Sequence, residues 1–224
     1  SLEGFETNAN VVGVWIYKAF FNSLSGKFSD GKVDIVSHSM GGILSRLYLQ
    51  NNYGNIYHGD VNKLITLNTP HSGSHFANFY VSLPLNEALC LSSPLFHSLS
   101  FTCNFAGVDL KTTSYATDYV LNSSASLSSG HVPSHTISSY IDNSDIGNCL
   151  PSYLAVLGVI PANVPNIFSS STHQMDGVVR DDSQIGGLNG FQTSSPIYQC
   201  HLGAAANSEN IFEVKQLLCA SPNG

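Results

Sequence analysis

The feature that most constrains this chain of 224 residues is an alternation of helical and extended patterns over its first third. Apolar residues recur at helical spacing over 12–20, which predicts an amphipathic helix. Residues 33–37 form a short β-rich run that predicts a strand, and the apolar positions of 40–50 predict a second helix. The run 63–67 predicts the next buried strand. Strands that alternate with helices indicate an α/β fold with a mostly parallel sheet flanked by helices.

The rest of the chain is less regular. Residues 164–168 and 196–199 predict two further strands, and residues 208–218 predict a closing amphipathic helix. The long interval that precedes these elements is apolar but aperiodic, and five prolines and several serine clusters interrupt it. An excursion of this length on a compact domain is typically a functional cap or lid. We therefore predict a single domain over 1–224 with a lid-like insertion at about 77–160.

Composition argues against several classes of protein. Only 10% of the residues are charged, the net charge is −7, and no basic run is present that could neutralise a nucleic-acid backbone. We therefore predict no nucleic-acid partner. No apolar stretch reaches the roughly 18 to 20 residues that a transmembrane helix needs, so no transmembrane segment is predicted. A surface covered by serine, asparagine, threonine and glycine rather than by charges is typical of a secreted protein, and we predict an extracellular location.

The cysteines support the same location. The chain contains five of them, which are Cys90, Cys103, Cys149, Cys200 and Cys219, and no two are spaced as a CxxC pair. Their scatter argues against a zinc site and is typical of disulfides formed in an oxidising compartment. Because the number is odd, one cysteine is left unpaired.

Ser39 lies at the junction between the first predicted strand and the helix that follows it, in the sequence Ser-His-Ser-Met-Gly. A serine in such a tight turn adopts a strained backbone conformation, which lifts its hydroxyl above the sheet and requires small residues two positions away on either side. Ser37 and Gly41 meet that requirement. The backbone N–H of Met40, at the start of the helix, can donate to a developing oxyanion. Ser39 is therefore the candidate nucleophile.

A serine hydroxyl becomes a good nucleophile only when a histidine takes its proton and a carboxylate holds that histidine. After a nucleophile turn of this kind, the acid and then the histidine are expected to follow the serine along the chain. Asp176 follows the predicted strand 164–168 and is the candidate acid. The nearby Asp181 and Asp182 are the alternatives. His201 is the only histidine after Asp176 and is the candidate base. Three other histidines beside the motifs are interpreted as packing or loop residues, namely His38, His71 and His173.

Four blocks of the sequence together resemble bacterial-type triacylglycerol lipases of the α/β-hydrolase superfamily. Residues 33–42 resemble the nucleophile elbow of that family. Residues 67–74 resemble its Leu-Gly-Thr-Pro-His-x-Gly-Ser block, with Asn68 in place of the usual glycine. Residues 176–179 match the acid loop and 201–203 match the catalytic histidine segment. The four blocks occur in the order that the family has.

The resemblance implies that Ser39 is the nucleophile, Asp176 the acid and His201 the base of a catalytic triad. It also implies an α/β-hydrolase fold and a lipase that cleaves carboxylic esters through an acyl-enzyme, with lipid esters at a lipid–water interface as substrates. Such an enzyme needs no cofactor, and none is predicted. Some relatives bind a structural calcium near the histidine loop, for which Asp181 and Asp182 could serve. Nothing in the sequence singles out these two residues, and no metal is predicted.

The segment that precedes Ser39 has room for one helix and one strand, whereas the complete fold places several strands and an oxyanion loop there. We therefore expect the chain to be truncated at its N-terminus, with the early strands missing, and expect the polypeptide alone to be poorly active. Two alternative functions stay open. One is a lipid acyltransferase or phospholipase that uses the same triad, and the other is a catalytically silent lipid-binding fragment.

Overall fold

The computed structural model describes residues 5–8, 10–23, 31–74, 132–142, 145, 149, 174–186 and 191–220. The helices in these segments are α1 (Phe5–Asn8), α2 (Val11–Ser23), α3 (Met40–Leu49), α4 (Asp181–Ile185) and α5 (Ser208–Cys219), and a 3₁₀ helix covers His201–Ala206. The strands are β1 (Val33–His38), β2 (Val61–Leu67), β3 (Ser134–Ile137), β4 (Ser139–Tyr140), β5 (Phe191–Thr193) and β6 (Ile197–Tyr198). No helix among the described residues is long and apolar enough to cross a membrane.

Four of the strands form one sheet in the order β1-β2-β3-β5, and each neighbouring pair is parallel. The ends of the first three strands are in register, because Leu67 pairs with His38 on one side and with Ile137 on the other. The two short strands β4 and β6 form a separate parallel pair. The predicted parallel α/β architecture is therefore confirmed. Residues that follow β1, β2 and β3 meet at one edge of the sheet, where α/β proteins place their sites.

Helices cover both faces of the sheet because side chains of a strand alternate between its two faces. On β2, Leu64 packs in an apolar cluster with residues of α2 and α3. Ile65 and Leu67 belong to another cluster, which includes Leu217 of α5. Lys63 is also directed to α5, and its Nζ donates to the carbonyl oxygen of Leu217 at 2.8 Å. The core thus lies in two layers, with β2 between them.

Most of the elements predicted from the sequence are present. The predicted strands 33–37 and 63–67 correspond to β1 and β2, and the predicted helices 40–50 and 208–218 correspond to α3 and α5. The helix predicted over 12–20 is α2, and the weak strand at 196–199 is β6. The strand predicted at 164–168 lies outside the described residues.

The predicted lid interval of about 77–160 needs a correction, because β3 lies inside it. This strand pairs with β2 and β5 within the described sheet, so residues 132–142 belong to the sheet and not to a lid. Hydrophobic periodicity could not reveal β3, since its buried positions include Ser134 and Thr136, which are satisfied by hydrogen bonds. Residues 77–131 lie outside the described residues, and a lid there stays a prediction.

Candidate active site

Ser39 is the single residue between β1 and α3, and its backbone turns sharply there. Its φ of 55° and ψ of −130° lie in a region that residues with a side chain rarely adopt. Two hydrogen bonds hold the turn: the Ser39 N–H donates to the carbonyl of Leu67 at 3.0 Å, and the Gly42 N–H donates to the carbonyl of Ser39 at 3.0 Å. The predicted strained turn is therefore present, and it leaves the Ser39 side chain partly buried.

A glycine in the first turn of α3 allows close packing against the segment after β2. A Cβ atom placed on Gly42 would lie 2.6 Å from Cγ2 and 2.8 Å from Cβ of Thr69, both closer than real carbon contacts. A Cβ on Gly41 would lie 3.6 Å from Cβ of Ser37, which is an ordinary contact. The turn motif predicts that small residues are needed at Ser37 and Gly41, whereas the tighter approach occurs at Gly42. This packing brings the ends of β1 and β2 together.

The structure brings Ser39, His201 and Asp176 together in one hydrogen-bonded chain. Nε2 of His201 lies 2.7 Å from Oγ of Ser39, and Nδ1 of His201 lies 2.7 Å from Oδ2 of Asp176. An ionised carboxylate only accepts hydrogen bonds, so Nδ1–H donates to Asp176 and the unprotonated Nε2 accepts from the Ser39 hydroxyl. Asp176 is fully buried and His201 is 3% exposed. The arrangement is that of a serine next to a base whose other nitrogen is held by an acid.

Each oxygen of the Asp176 carboxylate accepts two hydrogen bonds. Oδ1 accepts the backbone N–H groups of Val178 at 2.9 Å and Val179 at 2.8 Å. Oδ2 accepts Nδ1–H of His201 and, at 2.7 Å, an amide N–H of Asn68. Four donors are enough to satisfy a buried carboxylate, which would otherwise be costly to bury.

The alternative acids have a different setting. Asp181 and Asp182 are the first residues of α4, and Asp182 forms a salt bridge with Arg180, whose Nη2 lies 2.6 Å from its Oδ2. Neither contacts His201 in the hydrogen bonds of the described residues. Of the three sequence candidates for the acid, the structure therefore brings Asp176 alone to the histidine.

A disulfide and a glycine bring the acid loop and the histidine loop together. Cys149 is bonded to Cys200, which directly precedes His201. Gly177, directly after Asp176, has a φ of 96°, and a Cβ there would lie 3.1 Å from Cβ of Cys149. The His201 N–H also donates to the backbone carbonyl of Asp176 at 2.7 Å. The one cysteine that is free in the described part of the chain is Cys219.

Two of the other histidines beside the motifs are packed among neighbouring side chains, and one of them contacts His201. Nε2 of His38 donates to the carbonyl oxygen of His201 at 2.8 Å, and the two rings lie 4.9 Å apart between centroids. Burial, together with the neighbouring His201, lowers the pKa of His38. His71 is fully buried, and burial holds its pKa well below the usual value. Its Nδ1 lies 3.2 Å from Nη1 of Arg46, whose own pKa burial lowers to about 10. His173 lies outside the described residues.

Met40 is the first residue of α3 and directly follows Ser39. The N–H groups in the first turn of a helix have no acceptor within the helix, and the aligned peptide dipoles favour negative charge there. The role of the Met40 N–H as a donor to an oxyanion stays a prediction. Among the described residues, no group of three or more His, Cys, Asp or Glu side chains is arranged to hold a metal ion. The lack of a metal and of a cofactor stays a prediction.

Sequence reasoning missed Asn68 as a hydrogen-bond partner of the candidate acid. It treated the asparagine as a small departure from glycine in the 67–74 block, and the structure instead shows its amide bonded to Asp176. The signal was present, because an asparagine at a position that usually holds glycine points to a left-handed backbone with an added polar group. The observed φ of Asn68 is 49°.

Comparisons with known proteins agree with this architecture. The mature form of the Bacillus licheniformis lipase BlEst2 is similar over 96% of this chain and 74% of its own, with 18% sequence identity and a TM-score of 0.59. The propeptide form of that lipase is similar over 96% of this chain and 40% of its own, with 19% identity and a TM-score of 0.55. A metagenomic carboxyl esterase is similar over 91% of this chain and 52% of its own, with 15% identity and a TM-score of 0.57.

At these levels of identity the solved structures establish the fold, which is an α/β-hydrolase fold with a mostly parallel sheet flanked by helices. No curated protein matches the sequence. A family model described as the PGAP1-like alpha/beta domain matches residues 16–128, which is half of the chain and includes Ser39 and the segment after β2. The chain therefore belongs to the PGAP1-like alpha/beta domain family.

Proposed function

We propose that this protein is a serine hydrolase that cleaves carboxylic esters, with lipid esters as its substrate class. The observation that carries the proposal is the continuous hydrogen-bonded chain from Ser39 through His201 to Asp176, with 2.7 Å at each step. Serine, histidine and an acid in this relation perform acyl transfer on several unrelated folds, so the geometry is more informative than the fold. Similarity to a lipase and to a carboxyl esterase supports the same class of reaction.

The first half of the reaction forms an acyl-enzyme. Oγ of Ser39 attacks the ester carbonyl carbon while Nε2 of His201 takes the hydroxyl proton. The carbonyl oxygen becomes an oxyanion, to which the Met40 N–H donates at the start of α3. The intermediate collapses when the bond to the alkoxy group breaks, and His201 gives its proton to the leaving alcohol. The acyl group then remains on Ser39.

The second half regenerates the serine. A water molecule attacks the acyl carbon while Nε2 of His201 takes a proton from it, and a second tetrahedral intermediate forms. The bond to Oγ of Ser39 breaks, the serine receives the proton from His201, and the carboxylic acid leaves. Throughout both halves, Asp176 accepts from Nδ1–H and stabilises the imidazolium without taking its proton.

The substrate class and the location of the protein are part of the proposal. The resemblance of the four sequence blocks to triacylglycerol lipases favours lipid esters, and the proposed lid in residues 77–131 would cover an apolar acyl chain. An extracellular location is supported by the Cys149–Cys200 disulfide, since such bonds persist in oxidising compartments.

Initial rates with p-nitrophenyl butyrate and p-nitrophenyl palmitate test the proposal. We expect hydrolysis of both esters, with the longer chain favoured when it is presented in micelles. Ser39→Ala should remove the activity, and the residual rate should be close to that without enzyme, because loss of such a serine has cost about 10⁶-fold in kcat in a well-studied protease. Ser37→Ala is the matched control, since its Oγ bonds only to the backbone of Ile65 among the described contacts and lies in the same segment.

Adding a competing alcohol separates hydrolysis from acyl transfer. A hydrolase gives mainly free acid from the acyl-enzyme, whereas an acyltransferase gives mainly the new ester. Phospholipid as the preferred substrate would indicate a phospholipase. Equal rates for the wild type and Ser39→Ala would contradict the proposal, and binding of lipid without any turnover would favour a lipid-binding role.

A further inference from the structure

Asn68 is a buried polar residue whose side chain joins the acid to the rest of the fold. It follows β2 directly and is fully buried. One end of its amide faces Oδ2 of Asp176 at 2.7 Å, and the other end faces Oγ of Ser139 at 3.1 Å. The carboxylate can only accept, so the NH₂ group must face Asp176, and the amide oxygen then accepts from the Ser139 hydroxyl. The orientation of the amide is thereby determined by chemistry.

We propose that Asn68 is a positioning residue for ester hydrolysis, which holds the Asp176 carboxylate in the orientation that His201 requires. This inference rests on the proposed function. Asn68 donates to the same oxygen, Oδ2, that accepts Nδ1–H of His201. Together with the two N–H groups on Oδ1, this donor fixes the rotation of the carboxyl group about its Cβ–Cγ bond, so that Oδ2 stays directed at the imidazole.

The second effect of Asn68 is electrostatic. An amide N–H that donates to a carboxylate stabilises its ionised form. Asp176 therefore accepts from the imidazolium that forms during the reaction without taking its proton, which stays on His201 for delivery to the leaving alcohol. Without Asn68, Oδ2 of the buried Asp176 would have one donor fewer, and only the two N–H groups on Oδ1 would hold the carboxyl group independently of His201.

The amide is itself held by neighbouring elements. The Asn68 N–H donates to the carbonyl of Ile137 at the end of β3, at 3.0 Å. Ser139, whose hydroxyl donates to the amide oxygen, is fixed by Gln184 of α4, because its N–H donates to Oε1 at 2.8 Å and its carbonyl accepts from Nε2 at 2.9 Å. Ser139 and Gln184 are both fully buried. A fixed donor of this kind can position the group that it contacts.

The backbone at Asn68 supports the same conclusion. Its φ of 49° lies in the left-handed region that glycine adopts most easily, and asparagine is among the few other residues that tolerate it. Glycine would therefore fit the backbone at least as well as asparagine. The backbone conformation alone would not require a side chain here, whereas the hydrogen bonds to Asp176 and Ser139 do require it.

The test compares Asn68→Gly with a matched variant, Asn51→Gly. Asn51 is also an asparagine with a left-handed backbone, at a φ of 57°, but it is exposed and its side chain accepts only from the N–H of Tyr57 among the described contacts. Asn68→Gly removes a hydrogen bond to a charged group, so we expect kcat to fall by about 10- to 100-fold. KM should change little, because Asn68 is buried. Asn51→Gly should leave kcat and KM at the wild-type values.

A double-mutant cycle with Asp176→Asn separates positioning from a merely structural role. If Asn68 acts through the carboxylate, Asn68→Gly should lower kcat by less than about threefold in the Asp176→Asn background, since the group to be positioned is already lost. Equal falls in kcat in both backgrounds would overturn the proposal. Unchanged kcat in the Asn68→Gly single variant would overturn it as well.

A spectroscopic readout keeps this test separate from that of the proposed function. The proton on Nδ1 of His201 lies in a short hydrogen bond to a carboxylate and should give a far-downfield ¹H resonance. In Asn68→Gly we expect that resonance to move or to broaden by exchange with solvent, and in Asn51→Gly to stay in place. An unchanged resonance in Asn68→Gly would contradict the positioning role, whether or not the wild type hydrolyses esters. Absence of Ser39-dependent hydrolysis together with a changed resonance would refute the proposed function alone.

Discussion

The two halves of the candidate site are built in different ways. The serine half is local in sequence, because β1, Ser39 and α3 are consecutive and the turn is held by hydrogen bonds of the backbone. The acid–base half is assembled from distant segments, since Asp176 contacts Asn68 and His201, which are 108 and 25 residues away. A disulfide links two further segments of the acid–base half, because it joins Cys149 to Cys200, which is 51 residues away.

The difference explains how each half stays in place. The serine half is fixed by backbone conformation, with a strained φ of 55° at Ser39 that the flanking strand and helix enforce. The acid–base half is fixed by side chains, through a buried carboxylate with four donors and the residues that hold those donors. We therefore expect single substitutions in the acid–base half to impair activity through lost hydrogen bonds. Apart from the loss of the Ser39 hydroxyl itself, those in the serine half should act through packing.

Within the acid–base half, the largest effect is expected from Asp176→Asn. The new amide would present an NH₂ group to Nδ1 of His201, which favours the tautomer with the proton on Nε2, and that nitrogen could then no longer accept the Ser39 proton. We expect kcat to fall by as much as about 10⁴-fold. Steady-state kinetics with p-nitrophenyl butyrate measure the fall.

Asp182→Asn is the control for that variant. Its carboxylate pairs with Arg180 at the start of α4, and the loss of a partly exposed pair of this kind is worth at most about 1 kcal/mol of stability. Activity within about threefold of the wild type is expected. If Asp182→Asn abolished turnover while Asp176→Asn retained it, the acid would be misassigned.

The next largest effect is expected from removal of the disulfide in the double variant Cys149→Ala/Cys200→Ala. Loss of a native bridge that closes a loop of this length lowers the free energy of unfolding by roughly 2 to 5 kcal/mol. Because Cys200 adjoins His201 and Cys149 packs against Gly177, kcat should also fall. Urea unfolding and ester hydrolysis measure the two effects.

Cys219→Ala is the matched control for the disulfide, since the Cys219 thiol is exposed and free. It should change neither quantity. A double variant with the unfolding midpoint and kcat of the wild type would show that the bridge does not hold the acid–base half together.

A smaller effect is expected from Gly42→Ala in the serine half. The added methyl group would meet the buried side chain of Thr69, so Thr69 or α3 must shift, and such overpacking typically costs about 1 to 3 kcal/mol. Gly41→Ala is the control, because its Cβ would make an ordinary contact with Ser37. Thermal unfolding should show a lower Tm for Gly42→Ala and a Tm near that of the wild type for Gly41→Ala. The reverse order of the two Tm values would contradict the packing described for this turn.

The contrast between the halves also explains what the sequence could predict. The pattern of β1, the turn at Ser39 and α3 is contained in about twenty consecutive residues, so periodicity and turn chemistry are sufficient to predict it. The order of residues along the chain predicts Asp176 and His201, and the structure joins His201 to both Ser39 and Asp176. The order of the blocks along the chain therefore predicts the acid and the histidine, which hydrophobic periodicity and turn chemistry do not identify.

Residues whose role depends on distant partners were beyond sequence reasoning. β3 has no apolar alternation, because the fold satisfies its buried serine and threonine with hydrogen bonds, so it was interpreted as part of a lid. The amide of Asn68 meets Asp176 only after β1, β2 and the acid loop have come together. Which two cysteines pair is likewise a property of the fold, since five cysteines allow many pairings.

The most direct test of the central claim is to identify the serine that a p-nitrophenyl alkylphosphonate modifies. The protein is treated with the phosphonate until ester hydrolysis ceases, then digested, and the adduct is located by mass spectrometry. We expect one adduct per chain on Ser39, none in Ser39→Ala, and slow labelling in Asp176→Asn, because the adjacent base makes that hydroxyl far more reactive than the other serines. An inactivated protein with its adduct on another residue and with Ser39 unmodified would contradict the account.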